Sequence, residues 1–208
     1  ASKERVANKQ ISYEDLATDA FKGKICTRSG KHPYTVALIS SMIAHHGYDG
    51  AKTWLSGVKD NLARKPQGND RGQIKAIKEG QCDVALGNSY YFGKMLGDAK
   101  QKVAADSVNI LFPNQDNRGA HVNVSGMALT KYSHNKAAAI KLMEYLTGEN
   151  AQRIYAQVNM EYPVNPRVKP SKLVASWGEF KADMLPMSNI AANRKLALKL
   201  LDQVKFDL

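Results

Sequence analysis

Two adjacent tyrosines, Tyr90 and Tyr91, are the residues whose types and spacing most clearly indicate chemistry. A phenolate oxygen is a hard, anionic ligand. A free phenol has a pKa of about 10 and is neutral at pH 7, but a bound cation can hold it deprotonated. Oxygen-only donor sets suit hard metal ions. The pair therefore predicts a site for a hard cation, and the alternative is that both tyrosines are ordinary strand or core residues.

The geometry around the two tyrosines decides whether both oxygens can reach one ion. On a regular strand, neighbouring side chains point to opposite faces of the sheet. They can converge where a strand breaks into a helix, and Gly87 and Gly93 bracket such a break. A buried apolar run at 84–86 precedes it, and Asn88 adds a polar group at the turn. The sequence therefore predicts a strand, then a turn, then a helix at this place.

The rest of the chain reads as strands alternating with helices, which favours an α/β class. Strands are predicted at 24–27, 82–86, 108–112 and within 122–129. Helices are predicted from Ser12, over 33–47, 51–63, 73–79, 135–146 and 149–158, and from Ser188. Pro33 suits a first helical position and Gly47 suits a helix end.

Three segments carry a resemblance to one family. They are Gly-Asn-Ser-Tyr-Tyr-Phe-Gly-Lys-Met at 87–95, Cys-Thr-Arg-Ser-Gly-Lys-His-Pro-Tyr at 26–34, and Pro-Asn-Gln-Asp-Asn-Arg-Gly-Ala-His at 113–121. They resemble the ferric-ion-binding proteins that serve ABC importers. The likeness runs through essentially the whole chain. It implies a type II periplasmic-binding-protein fold, with two lobes and a hinge. It also implies a periplasmic monomer that captures ferric ion without catalysis and delivers it to the importer's membrane subunits.

The resemblance also implies how the chain is divided. Residues 1–115 and 171–208 are expected to form the second lobe, and residues 116–170 the remaining part of the first lobe. The chain starts as the middle of a protein would, and family members are longer. About a hundred upstream residues are therefore expected to be missing or to be supplied as a separate piece. A first lobe left incomplete would expose apolar surface and sheet edges.

The family's iron ligands are carried over residue by residue. Tyr90 and Tyr91 match the family's tyrosine pair, and Tyr34 matches a third tyrosine found in one subgroup. The alternative for Tyr34 is a first-turn helix residue that packs on the lobe. None of the five histidines is expected to bind iron, and His32 is expected near a helix N-cap instead. The family's histidine and acidic ligands would come from the upstream part.

A companion anion, carbonate or phosphate, is the second expected component of the site. Ser29 and Gly30 precede a helix, where backbone N–H groups and the helix dipole favour an anion. Arg28 either pairs with carbonate or faces solvent, and the second is preferred. Asn88 and Asn69 could hydrogen-bond the site, although Asn69 is at least as well explained as a helix cap.

Two cysteines, Cys26 and Cys82, each lie eight residues before a candidate ligand tyrosine. If the two strands are parallel neighbours, these equal offsets place the sulfurs side by side. A disulfide would then fit an oxidising periplasm. The alternative is two buried thiols that act as small apolar residues. A metal site made from these two cysteines alone is not expected.

Composition narrows the other possibilities. The net charge is +11 and 43% of residues are hydrophobic, which is an ordinary globular composition with a basic surface. No apolar run is long enough to span a membrane, and no basic block with interleaved aromatic residues suggests nucleic acid. Phosphate-binding loops and nucleophile elbows are absent, so an enzyme is not expected. The alternative on the same fold is a binding protein for another small anionic or cationic solute.

Overall fold

A computed structural model describes residues 1–208 as helices around a two-stranded parallel sheet. The α-helices are α1 (Pro33–Asp60), α2 (Asp70–Lys78), α3 (Ser89–Leu96), α4 (Lys102–Ala105), α5 (Lys136–Thr147), α6 (Glu149–Ile154), α7 (Lys172–Ala175), α8 (Met187–Ala192) and α9 (Arg194–Val204). Two 3₁₀ helices, Glu14–Ala17 and Asp19–Phe21, precede the sheet, and a π-helical turn, Tyr155–Asn159, follows α6.

Helix α1 forms the centre of the larger hydrophobic core. Pro33 opens it and the ring of His32 caps it by accepting a hydrogen bond from the backbone N–H of Tyr34. Gly47 takes φ 70° and ψ 175°, so the helix breaks there as the sequence predicts, and its second half continues to Asp60. The buried side of α1, which includes Ile39, packs against α8, α9 and the first 3₁₀ helix.

The sheet is shorter than predicted and has an unexpected register. Strand β1 (Ile25–Cys26) pairs in parallel with β2 (Val84–Ala85), with Cys26 opposite Ala85. The expected register, which would put Cys26 opposite Cys82, is therefore wrong by three residues. The two sulfurs are nevertheless bonded and the Cα atoms are 5.8 Å apart. Cys82 reaches Cys26 from the segment that enters β2.

Two of the predicted strands are wrong. Residues 108–112 make one isolated bridge, between Val108 and Ser2, and residues 122–129 have no regular structure. A strand forms only where a neighbouring chain segment accepts its backbone hydrogen bonds. Directly before residues 122–129, the chain makes one such contact, the bridge between Ala120 and Ala182. Apolar composition alone therefore did not specify a paired strand at either place.

Large apolar side chains are exposed along 122–164. Helix α5 buries none of its residues. The exposed side chains in this stretch are Val124, Met127, Leu129, Tyr132, Ile140, Leu142, Tyr145, Ile154, Val158 and Val164. We call this the apolar face. The division into lobes at 115 and 170 stays a prediction. No helix has both the length and the apolar character that a membrane crossing needs.

Candidate functional site

The two adjacent tyrosines lie in the first turn of α3, directly after the break that follows β2. Their ring centroids are 4.3 Å apart and the ring planes are inclined by 32°. The strand-to-helix break is therefore where the sequence predicts it. Gly93, however, lies inside α3, where a Cβ atom would stand 2.8 Å from Cβ of Met160. This glycine allows a close approach of α3 to the π-helical turn and does not make the break.

Tyr34, the second residue of α1, brings a third phenol to the same place. Its hydroxyl oxygen is 3.0 Å from the hydroxyl oxygen of Tyr90, and the two share a hydrogen bond. The ring of His32 lies edge-on to Tyr34, with centroids 4.5 Å apart. All three tyrosines are half-buried. Two stretches separated by 56 residues thus meet through phenol oxygens, and the interpretation of Tyr34 as a packing residue alone does not account for this contact.

The electrostatic surroundings keep the central phenol protonated when no cation is present. Burial raises the pKa of Tyr90, and the hydroxyls of Tyr34 and Tyr91 raise it further. Two guanidinium groups flank the cluster: that of Arg28 lies 5.4 Å from the ring centroid of Tyr34, and that of Arg71 lies 5.5 Å from the ring centroid of Tyr91. A cation that binds the oxygens must therefore displace protons.

Arg28 does not face solvent, so that preference was wrong. Its guanidinium pairs with the carboxylate of Asp70, and the side chains are 15% and 2% exposed. The other oxygen of Asp70 accepts a hydrogen bond from the backbone N–H of Asn88 at 2.9 Å. The amide oxygen of Asn88 accepts from Asn123 at 2.9 Å. Asn69 caps α2 by accepting from the N–H of Gly72, which is the structural alternative described above.

The turn expected to hold an anion is occupied by a carboxylate of the chain itself. The hydroxyl of Ser29 and the N–H of Gly30 donate to Asp207, at 2.9 and 2.8 Å. Gly30 is packed so closely that a Cβ atom would lie 2.4 Å from Leu201 and 2.8 Å from Phe206. Both donors predicted for the anion therefore have a partner, and any external anion must compete with Asp207.

Two of the five histidines pair with carboxylates. His45 Nε2 lies 2.6 Å from Asp183, and His46 Nε2 lies 2.7 Å from Glu14. His32 is a helix cap, as expected. No group of three or more His, Cys, Asp and Glu side chains is arranged to hold a metal ion. The phenol oxygens are thus the donors that the structure gathers.

Three residues of this neighbourhood were missed by sequence reasoning, namely Asp70, Arg71 and Asp207. An acidic residue in the first turn of a helix is common because of the helix dipole, so Asp70 gave no distinctive signal. Asp207 is 177 residues from Gly30 in sequence. Only the packing of α9 against α1 brings it near.

Comparison with known proteins shows which family this chain belongs to. Residues 2–178 match the model of a family described as bacterial extracellular solute-binding protein. The chain belongs to this family. The fold superposes on apo ferric ion-binding protein A of Pasteurella haemolytica with a TM-score of 0.96, 53% identity and coverage of 100% of this chain. It superposes on the Trichodesmium protein IdiA (FutA), solved with iron and citrate, with a TM-score of 0.94, 40% identity and 99% coverage. The predicted type II periplasmic-binding-protein fold is confirmed.

A curated relative gives the same relationship in sequence. Iron uptake protein A1 of Synechocystis is 40% identical over 205 residues, which is 97% of this chain. The chain spans 57% of that relative's length and 66% of each of the two solved chains. The resemblance to ferric-ion-binding proteins stated from the sequence is therefore confirmed at the level of family and fold.

Proposed function

We propose that this protein captures ferric ion through the phenolate oxygens of Tyr34, Tyr90 and Tyr91, as the solute-binding component of an ABC importer outside the cytoplasm. The observation that carries the proposal is the 3.0 Å contact between the hydroxyls of Tyr34 and Tyr90, with Tyr91 beside them. Two phenol oxygens that share a proton can share a cation once they are deprotonated. Three phenolates neutralise a trivalent ion, and hard oxygen donors suit it.

The comparisons support this assignment because the proteins named above are called iron uptake and ferric ion-binding proteins. The absence of a His, Cys, Asp and Glu cluster leaves phenolate as the donor type. Binding, without turnover, is the proposed activity. Capture would close the two lobes around the ion by hinge movement, and the closed form would dock on the membrane subunits. Reduction would favour release, because ferrous ion is a poorer match for phenolate.

Carbonate or phosphate as a companion anion stays a prediction with less support. The donors of Ser29 and Gly30 are bonded to Asp207, and Arg28 is paired with Asp70. The Trichodesmium neighbour was solved with citrate as well as iron, which makes a chelating carboxylate a further candidate for the companion anion. In this proposal the third tyrosine supplies the negative charge that a phosphate at the turn would otherwise supply.

The test is the visible absorption of ferric-loaded protein. Ferric ion bound by phenolate gives a charge-transfer band, so the loaded protein should be coloured. Tyr90→Phe combined with Tyr91→Phe should abolish the band, because a phenyl ring has no oxygen donor. Tyr48→Phe is the matched control. The hydroxyl of Tyr48 donates a hydrogen bond to Gln203 at 2.8 Å and is not part of the tyrosine cluster. A colourless loaded protein, or colour that survives the double substitution, rejects the proposal.

A further inference from the structure

Asp70 touches both of the chain segments that bring tyrosines to the site. One carboxylate oxygen pairs with Arg28, which lies two residues after the end of β1 and directly before the Ser29-Gly30 turn that leads into α1. The other oxygen accepts the N–H of Asn88, which directly precedes α3. Tyr34 belongs to the first segment, and Tyr90 to the second. One side chain therefore joins the two.

The contacts of Asp70 are those of a fixed group. Its side chain is 2% exposed, and a carboxylate is buried in a protein only when it is paired and hydrogen-bonded. The close approach of the turn is visible at Gly87, where a Cβ atom would lie 3.4 Å from Asp70 Oδ1. Arg28 in turn lies over the ring of Tyr34. A continuous path of contacts thus runs from Tyr34 through Arg28 and Asp70 to the turn directly before α3, the helix that carries Tyr90.

We infer that Asp70 is a positioning residue, which with Arg28 sets the separation of the Tyr34 and Tyr90 oxygens before any metal binds. This inference rests on the proposed function for its consequence, ferric binding, but not for its geometry. Oxygens already 3.0 Å apart need little rearrangement to meet at one ion. Loss of the link lets the turn before α3 move away from the start of α1. Substitution of residues that orient metal ligands typically lowers metal affinity by about 10–100-fold.

The principal variant is Asp70→Asn, which keeps an oxygen acceptor for the N–H of Asn88 and removes the charge that holds Arg28. In metal-free crystals of this variant we expect the Tyr34–Tyr90 oxygen separation to exceed hydrogen-bond distance. In ferric-loaded protein we expect a shifted charge-transfer band and iron loss to a competing chelator about tenfold faster or more.

A control ion pair lies next to β2. Arg5 pairs with Asp83 at 2.5 Å, and neither contacts any of the three tyrosines. Asp83→Asn removes an Arg–Asp pair that is more exposed than the pair of Arg28 and Asp70, and it should leave both the band and the rate of iron loss unchanged. An equal effect of Asp83→Asn on the band would show a general loosening of the fold and would overturn the inference.

A second variant guards against failure to fold. Breaking a buried ion pair on one side leaves an unpaired charge and costs about 3–5 kcal/mol. Arg28→Met combined with Asp70→Asn removes both charges and leaves none unpaired, so this double variant should fold. It should show the same larger oxygen separation and the same shifted band. If either variant keeps an unchanged band and a Tyr34–Tyr90 oxygen separation near 3.0 Å, the positioning role of Asp70 is rejected.

The two readouts separate this inference from the proposed function. A parent protein that stays colourless with ferric ion rejects ferric capture, and the metal-free separation in the variants still decides the role of Asp70. A coloured parent whose variants keep both the band and the separation rejects the role of Asp70 and leaves ferric capture standing.

Discussion

At the scale of single residues, the protonation of Tyr90 controls when a cation can bind. Burial and the neighbouring hydroxyls raise the pKa of this phenol, so Tyr90 stays protonated at ordinary pH while no metal is bound. Each phenolate that forms on loading releases one proton, and mass action then opposes loading as the pH falls.

We expect the ferric affinity to fall as the pH is lowered, by about tenfold per pH unit for each proton released. Competition with a chelator of known affinity, measured at several pH values, gives the slope. Tyr34→Phe should reduce that slope by about one proton per ion, because one titrating ligand is lost. A slope near zero in the parent protein would mean that the ligands are not protonated phenols.

The sequence predicted much at this scale and missed one kind of residue. Tyr90 and Tyr91 are recognisable because their side-chain type and their position after a turn carry information in a local window, whereas Tyr34 was predicted from the family resemblance alone. Asp70 and Asp207 are not recognisable in this way. Their roles depend on contacts over 18 to 178 residues of separation, with Asn88 and with Ser29. A carboxylate in a local window looks the same whether it is buried against a turn or faces solvent.

At the scale of elements, the position of α3 depends on the lack of a side chain at Gly93. A Cβ atom there would lie 2.8 Å from Cβ of Met160 and 3.1 Å from the ring of Trp177. The Met160 Cβ is fixed to the backbone and has little freedom to yield.

Gly93→Ala should therefore destabilise the protein by about 1–3 kcal/mol, the usual range for overpacking. It should also weaken ferric binding, because α3 carries two of the three proposed ligands. Gly126→Ala is the control, since nothing lies within 4 Å of a Cβ atom there. Denaturant unfolding compares the two. Equal midpoints for both variants would show that α3 has room to move.

Glu14 links the first 3₁₀ helix to the segment that follows residue 113. Burial alone would raise the pKa of Glu14, but hydrogen bonds from Asn114 and Arg118 outweigh it and lower the pKa to about 2. A depressed carboxyl pKa contributes stability above the unfolded value of 4.5. That contribution is lost as the pH falls toward the folded value.

Glu14→Gln should therefore lower the free energy of unfolding at pH 7 by up to about 1 kcal/mol, a small value because the side chain is partly exposed to solvent. The difference from the parent should shrink between pH 4.5 and about 2, the two pKa values that bound the effect. Unfolding by urea at pH 7 and at pH 3 measures it. A difference in the free energy of unfolding that grows as the pH falls would contradict the lowered pKa of Glu14.

The disulfide joins the segments that lead into α1 and α3, the helices that carry the three tyrosines, since Cys26 lies in β1 and Cys82 precedes β2. Its loop of 56 residues corresponds to about 4 kcal/mol in the chain-entropy description. Reduction, or replacement of both cysteines by Ala, should lower the free energy of unfolding by about 2–4 kcal/mol. Unfolding with and without reductant checks this, and an unchanged midpoint would show that the link adds no stability.

The elements themselves divide by how local their signals are. Helices α1, α2 and α5 follow from caps, Pro33, Gly47 and an apolar period, all readable within a few turns. The strands at 108–112 and 122–129 were predicted from composition, but pairing needs a partner at the right distance, and the structure offers isolated bridges only. The cysteine register failed for the same reason, because it assumed a pairing that a local sequence does not specify.

At the scale of the whole molecule, the apolar face gathers ten large exposed apolar side chains within 122–164, and exposed apolar patches commonly mark interaction surfaces. The chain spans 57% of the length of a curated relative that it matches. We expect the remaining part of a protein of that length to cover this face. Residues 116–170 would then form one lobe together with that additional part, which is the lobe division predicted from the family resemblance.

Ile140→Lys combined with Leu142→Lys should change the stability of the 208-residue chain by no more than about 0.5 kcal/mol, because both side chains are exposed. The same pair should reduce the fluorescence of a hydrophobic dye bound to the chain. In a protein extended to the relatives' length it should cost about 2 kcal/mol or more, because buried charge is unfavourable. Equal stability changes in both would mean that the face is exposed in the longer protein also.

The carboxylate of Asp207, held by Ser29 and Gly30, has a practical consequence for anyone preparing this molecule. Asp207 occupies the two donors of the turn that leads into α1, the helix that carries the proposed ligand Tyr34. Asp207→Ala would leave both donors open to oxyanions of the buffer. The variant and the parent protein would then differ in how phosphate and sulfate influence iron uptake.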